Sequence, residues 1–316
     1  MLNRRYLRVK VFQALYAFFQ TEDADLLRGE KEMFKSIDRI YDLYLYWLWL
    51  VVEVVDAGRK SLESAREKRL PTEADLNPNT RFVDNRLVHA IESNTEFRKM
   101  VDRRKVSWHS EYENVRKLFR KIRDTEAFER YMHSEEGDFE QDREFILSMF
   151  NSHIGTFEIF HHYLEEKSIY WYDDLALAAA TAIKTMQHIR PNANETSKWM
   201  PALYKDAEDD RSFVKELFRK TIRNSEDYAA LISQKTQNWE VERIALLDVI
   251  LMKMALCEFE HFSTIPVKVS LNEYIELAKS YSTPKSKVFI NGILDKLLID
   301  MKADGRIRKT GRGLIG

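Results

Sequence analysis

Apolar residues in this chain recur three and four positions apart, and that spacing commits most of its length to helix. Leu7, Val11, Leu15 and Phe18 make one stripe in the opening segment, the pattern of a helix that turns one face to a core. Residues that would interrupt helices are scarce, with nine Gly and six Pro in 316 residues. Strands joined by tight turns need more of both, because Gly and Pro supply the backbone angles that turns demand. With abundant Leu, Lys, Glu and Arg, the chain is expected to be all-α.

The periodicity predicts a first helix over Arg4–Gln20. Between Thr21 and Pro201 it predicts helices over Lys31–Ala65, Arg81–Val106, Glu111–His133, Asp142–Glu166 and Tyr172–Ile189. The turn-rich stretches LPTEADLNPNT, SEEGD and IRPNANETSKWMP fall between these segments. No internal repeat or low-complexity tract is present. Beyond Pro201 a helix is expected from Asp210 or Ser212 through Phe213, Leu217 and Ile222. Another is expected from near Trp239 through Ile244, Leu247, Ile250, Met254 and Phe259. Ser270 and Glu273 have the spacing of a capping box that would start LNEYIELAKSY. Thr283 before Pro284 has the form of a cap that would start PKSKVFINGILDKLL. The basic, Gly-containing tail ADGRIRKTGRGLIG is expected to be disordered.

A net charge of −1 and a pI of about 6.7 do not demand a polyanionic partner. Any nucleic acid would have to be met by a local basic patch. Arg4, Arg5, Arg8 and Lys10 cluster at the start of the first helix, where exposed N–H groups already make the helix end positive. That end suits a solvated basic cap or an arriving anion. The lone Cys257 excludes an internal disulfide and fits a cytoplasmic protein; its apolar surroundings predict a buried, inert thiol. The opening residues lack the pattern of a signal peptide. The run LYLYWLWLVVEVV, Leu43 to Val55, is shorter than the roughly 20 apolar residues of a membrane span, so it reads as a core helix.

Two Glu-x-x-His pairs, Glu158/His161 and Glu258/His261, each place two ligand types on one helix face, as in di-metal helical bundles. A ferritin-like di-metal enzyme is therefore the rival from another class. It requires two further glutamates from other helices. His161 and His162 beside Glu165 and Glu166 read more simply as a solvated face than as a metal site. No Gly-rich phosphate loop, paired zinc cysteines or nucleophile elbow occurs. A helical scaffold without RNA binding is the third reading.

Three stretches decide between these readings. RRYLRVKVFQALY at the start, ALLDVILMKMALCEF and IPVKVSLNEYIELAKSYSTPKSKVFINGILDKL near the end resemble, in order, segments of the NusB family of transcription antitermination factors. The resemblance implies a non-enzymatic protein without cofactors, built as a pair of small helical bundles, here with an additional helical insertion. On that basis residues 1–20 are the RNA-facing helix, 21–200 the insertion or enlarged first bundle, 201–300 the C-terminal family helices and 301–316 a flexible basic tail. It also implies boxA-like single-stranded RNA, a NusE-type small-subunit ribosomal protein and the RNA polymerase antitermination complex as partners. Carried onto this chain, it assigns RNA binding to Arg4, Arg5, Arg8 and Tyr16, with core packing the competing role for Tyr16. It assigns partner binding to Asp248, Lys253, Lys285 and Phe289, with burial between helices the competing role for Phe289. Lys253 stands where the family usually has Arg, and Lys285 where many relatives carry an acid. Glu258 falls on a family Glu of expected structural role. Gly292, inside an apolar helix, costs roughly 1 kcal/mol against Ala; tight helix packing or close partner approach would account for it.

Overall fold

The computed structural model describes residues 1–134, 137–236 and 245–314, and among them all regular structure is helical. The helices are α1 (Arg4–Gln20), α2 (Leu26–Arg66), α3 (Glu73–Leu76), α4 (Arg86–Glu92), α5 (Thr95–Arg104), α6 (Tyr112–Arg123), α7 (Glu126–His133), α8 (Phe139–Met149), α9 (Glu158–Lys167), α10 (Leu175–His188), α11 (Ala207–Arg223), α12 (Ser225–Lys235), α13 (Leu246–His261), α14 (Val267–Tyr281) and α15 (Ser286–Ala303). They form two compact units, one of Met1–Ile37 with Leu203–Gly316 and one of Asp38–Ala202. The division between these units falls inside α2, between residues 37 and 38. The expected helix start near Trp239 lies outside the described residues.

In the first unit α13 is the central element. Ile250, Leu251, Met252, Met254, Ala255, Leu256, Cys257 and Phe259 are all buried, on every side of the helix, which is how a helix behaves when others surround it. The helices α1, α11, α12, α14 and α15 pack around it. Burial pushes the Cys257 thiol up to about 12, so it stays protonated and unreactive at neutral pH. The tail is not loose. Arg306 reaches Glu260 and Asp227, and Lys309 Nζ donates to the carbonyls of Glu258 and Phe262 at 3.2 and 2.9 Å. The last carbonyls of a helix lack internal donors and carry negative partial charge, and these cations supply both needs.

Both expected caps near the C-terminal end start their helices elsewhere. Ser270 and Glu273 lie inside α14, which begins three residues before Ser270 without a side-chain cap. Each of the two side chains bonds to another helix instead. The Thr283 hydroxyl meets the Ser286 hydroxyl at 2.9 Å, not a backbone N–H, and α15 begins at Ser286.

In the second unit the aromatic run of α2 is core. Tyr44, Trp47 and Leu48 are fully buried, Tyr44 shares a 3.1 Å hydrogen bond with Thr185, and the Trp108 indole donates to the Tyr46 carbonyl at 3.0 Å. Among the described residues no helix is long and apolar enough to cross a membrane. Three of the long helices expected here are broken, two by caps and one by a π-helical turn, none of which periodicity reveals. Asn94 splits Arg81–Val106 and Thr125 splits Glu111–His133, each accepting from an N–H of the helix that follows. A π-helical turn over Phe150–Ile154, closed by the Gly155 N–H on the Phe150 carbonyl, ends α8 before α9 begins; such turns insert an extra residue into the ladder.

Asn94 is buried and has two duties. Its Oδ1 accepts from the Phe97 N–H at 2.9 Å and its Nδ2 donates to the Ser197 carbonyl at 2.8 Å. Asn94→Ala removes a cap and strands a carbonyl, and should cost about 1–3 kcal/mol. Urea unfolding checks this, and a midpoint equal to wild type would refute the double role.

Candidate nucleic-acid interface

The first helix divides its basic residues between core and surface. Arg8 is only 3% exposed and makes a fork with Glu258, at 2.9 Å from Nε and 2.6 Å from Nη2. Glu258, fully buried, also accepts from the hydroxyls of Ser270 and Tyr274. A charge taken out of water needs partners on every side, and here α1, α13 and α14 each contribute. Burial and the neighbouring Glu258 push the Tyr274 hydroxyl well above its ordinary range, so it remains a donor. Arg8 thus sits inside the molecule; its role here is structural, unlike the surface role the resemblance implied.

Arg4 and Arg5 face outward. Arg4 pairs with Asp209 and, at 3.1 Å, with Asp210, and its guanidinium lies 4.2 Å from the centre of the Phe213 ring. Arg5 is half exposed and forks onto Glu273 at 2.9 and 2.8 Å. Tyr16 is 42% exposed, which removes core packing as its role. Tyr6 is exposed as well. Tyr6, Val9, Gln13, Tyr16 and Gln20 follow helical spacing along the outer face. The reading of the sequence missed Tyr6, although the complement of the apolar stripe would have found it.

The residues assigned to a partner surface separate in the same way. Asp248 is buried and accepts from the Ser282 hydroxyl, so it fixes the approach to α15 and does not stand at the surface. Lys253 is half-buried, donates to the Ser225 hydroxyl at 2.7 Å and lies 5.0 Å over the Phe19 ring; burial lowers its pKa. Lys285 is exposed and Phe289 partly so. Gly292 does not pack tightly: a Cβ there would meet nothing within 4 Å. Val288 and Ile299 are exposed on the same face of α15, with Gly292 and the exposed Asp295 between them, so its outer face mixes apolar area with charge.

The side chains of the di-metal reading have other work. Glu258 is occupied by Arg8, Ser270 and Tyr274. His161 Nε2 lies 2.8 Å from the Gly155 carbonyl, and His261 Nε2 lies 3.2 Å from Asn224 Nδ2. Among the described residues no group of three or more His, Cys, Asp or Glu is arranged to hold a metal.

Comparison with known proteins places this geometry. The model of the NusB family matches residues 175–298, so it begins with α10, some 25 residues earlier than the boundary at residue 200 expected for the insertion. The chain is similar to proteins named transcription antitermination protein NusB. The one from Salinibacter ruber is 47% identical over 106 residues, which is 34% of this chain and 66% of that protein. The one from Chloroherpeton thalassium is 41% identical over 105 residues, covering 33% and 50%. The one from Clostridium botulinum is 32% identical over 117 residues, covering 37% and 82%. The match thus spans from half to just under two-thirds of the first two relatives. No solved structure matches the chain.

Two outcomes follow from the ion pairs. Arg8→Met leaves Glu258 charged and buried, and should cost about 3–5 kcal/mol, whereas Arg8→Met with Glu258→Leu should recover most of that loss; equal losses in both variants would show that Arg8 contributes packing alone. Hydrogen bonds from Arg5 hold the Glu273 carboxyl below its ordinary value of 4.5. The folded state therefore binds that proton less tightly than the unfolded chain. The contribution is complete above about pH 4.5 and is lost as pH falls through the lower folded value. Wild type and Glu273→Gln should differ in stability at pH 7 by less than about 1 kcal/mol, since Arg5 is half exposed, and should converge under acid. A gap that widens in thermal unfolding as pH falls below about 4.5 would contradict this.

Proposed function

The chain belongs to the NusB family, and from that premise we propose that it is a transcription antitermination factor. In this reading it binds boxA-like single-stranded RNA together with a NusE-type small-subunit ribosomal protein and promotes read-through by RNA polymerase on ribosomal RNA operons. The name that these relatives share supports the antitermination role.

The observation that carries the RNA reading is the outer face of α1. Arg5 and Tyr6 stand near one end and Tyr16 ten residues on, about 15 Å at the helical rise. Glu273 engages Nε and Nη2 of Arg5, which orients the fork and leaves the Nη1 edge for a phosphate oxygen. Exposed tyrosine rings give unpaired bases a stacking surface, which a duplex with its bases already stacked uses poorly. Arg4, beside the fork, is matched by Asp209 and Asp210, so the free positive edge is that of Arg5. For the protein partner, the outer strip of α15 with Lys285, Val288, Phe289 and Gly292 offers apolar area beside a cation. Such a mixture is typical of association surfaces.

RNA-shift titrations with and without the NusE partner test the reading. Arg5→Ala and Tyr16→Ala should each weaken binding of a boxA RNA roughly tenfold, in line with about 1–3 kcal/mol for a stacked base, and Arg5→Ala should also flatten the salt dependence. Wild-type affinity in both would move the RNA away from α1. Phe289→Ala should weaken NusE binding without altering RNA binding alone; an unchanged dissociation constant would place the partner elsewhere.

A further inference from the structure

The second unit carries more acidic than basic residues, yet α6 gathers cations on one side. Arg116, Lys117, Arg120, Lys121 and Arg123 are all exposed, while Val115, Leu118, Phe119 and Ile122 form the buried side. At 100° per residue Arg116, Arg120 and Arg123 fall almost in line, with Lys117 and Lys121 beside them. The line is about 10 Å long, long enough to meet successive phosphates of one strand. Arg116 pairs with Glu113 and Arg123 with Asp124. Among the described residues Lys117, Arg120 and Lys121 have no carboxylate partner: Lys117 meets Asn114, Arg120 the Arg116 carbonyl, and Lys121 lies 6.0 Å from the Phe157 ring. A merely solvated helix gains from interspersed acids at i+4, and this face lacks them between Lys117 and Arg123.

At the C-terminal end of this face a cavity of about 480 Å³ opens, with Arg123 and Lys68 among its lining residues. Its apolar wall is Phe82, Phe119 and Phe128, rings that pack against one another with centroids 5.1–6.5 Å apart. Gly58 keeps that wall close to α2, since a Cβ there would lie 3.0 Å from Phe82 and 3.1 Å from Phe119. Ser61, Asn79 and Asp75 add polar atoms of both kinds. The Asp75 carboxyl is held down at about 2 by Lys68 and by the Thr72 N–H and hydroxyl, so it accepts hydrogen bonds throughout the neutral range. The volume is that of an ordinary small-ligand pocket.

We propose that the second unit has a single-stranded RNA site of its own, in which the cationic face of α6 follows the phosphates and the adjoining cavity takes one unstacked base. The site is independent of α1 and of its assigned role. Cations in a row beside an aromatic recess are the two elements that sequence-tolerant single-strand binding requires. An acidic peptide would satisfy the row, but its carboxylates would meet Asp75 in the cavity, whereas a base offers N–H donors to Asp75 and Asn79. A duplex could lie on the row and could not fill the cavity.

The test uses the full chain and a fluorescent 12-nucleotide RNA of mixed sequence carrying 4-thiouridine. The same strand annealed to its complement and a polyglutamate peptide serve as comparators. Replacing Lys117, Arg120 and Lys121 together by Gln changes only exposed side chains. It should lower single-strand affinity about tenfold at low salt and reduce the slope of log affinity against log salt by about 2, at roughly 0.7 per lost phosphate contact. Ala65→Phe, which fills the cavity, should keep that slope but abolish the preference for the single strand over the duplex. Ultraviolet crosslinks should fall on residues 112–132. The proposal is overturned if the triple variant binds RNA with unchanged affinity and slope, if crosslinks fall only on α1, or if polyglutamate binds more tightly than the RNA and loses its affinity in the triple variant.

Discussion

The buried fork between Arg8 and Glu258 is the contact on which the first unit depends. Glu258 lies on the most deeply enclosed helix, where an unpaired carboxylate would be prohibitive. It is tolerated because α1 delivers a guanidinium and α14 delivers two hydroxyls to the same point. Each of these groups is a poor choice for a core by itself. Together they fix how three helices meet, because a fork-on-carboxylate contact is satisfied in one geometry while apolar surfaces slide with little penalty. Arg5 and Glu273 continue the same arrangement outward, so the line from core to surface along α1 and α14 is one chain of ion pairs that ends at the exposed fork.

This explains why cationic residues on one helix came to have different fates. Arg5 and Arg8 are three positions apart, and sequence alone presents them as equals. The distinction depends on which neighbour is opposite, a matter of tertiary contact. Helical character, the central place of the Leu43–Val55 run and the inert thiol were legible because they follow from periodicity and composition. Family membership was legible because the matching residues were dense and ordered. The broken helices at Asn94 and Thr125 were not, since apolar spacing continues across a cap. The Ser270–Glu273 pair was misleading for a related reason: its spacing suits a cap, but two residues one turn apart inside a helix have the same spacing, and their bonds to other helices decided the matter. The tail shows the same limit in reverse, since basic, Gly-containing sequence also suits a strap when carbonyls are there to receive it.

The two units fill their interiors with different side chains. In the first, charges enter the core as pairs and are matched across helices. In the second, the interior is aromatic, with Trp171, Tyr46, Trp108 and Phe160 in ring contact one after another, and buried polar atoms such as those of Asn85 and Asn94 serve as helix caps. A core of large rings fixes shape through packing. Charge enters this core as well, where Asp42 pairs with Arg104 and Asp142 accepts from the Tyr131 hydroxyl, while the cations of α6 stay at the surface.

The burial of Cys257 has a practical consequence. With one cysteine in the sequence, and that one enclosed by α13 and its neighbours, the native molecule offers thiol reagents no ready target. A cysteine introduced in place of Gly292, where the surface is open, would take up a dye at one position without any need to remove a native residue. The molecule is thereby suited to site-specific fluorescence, with its own core chemistry left untouched.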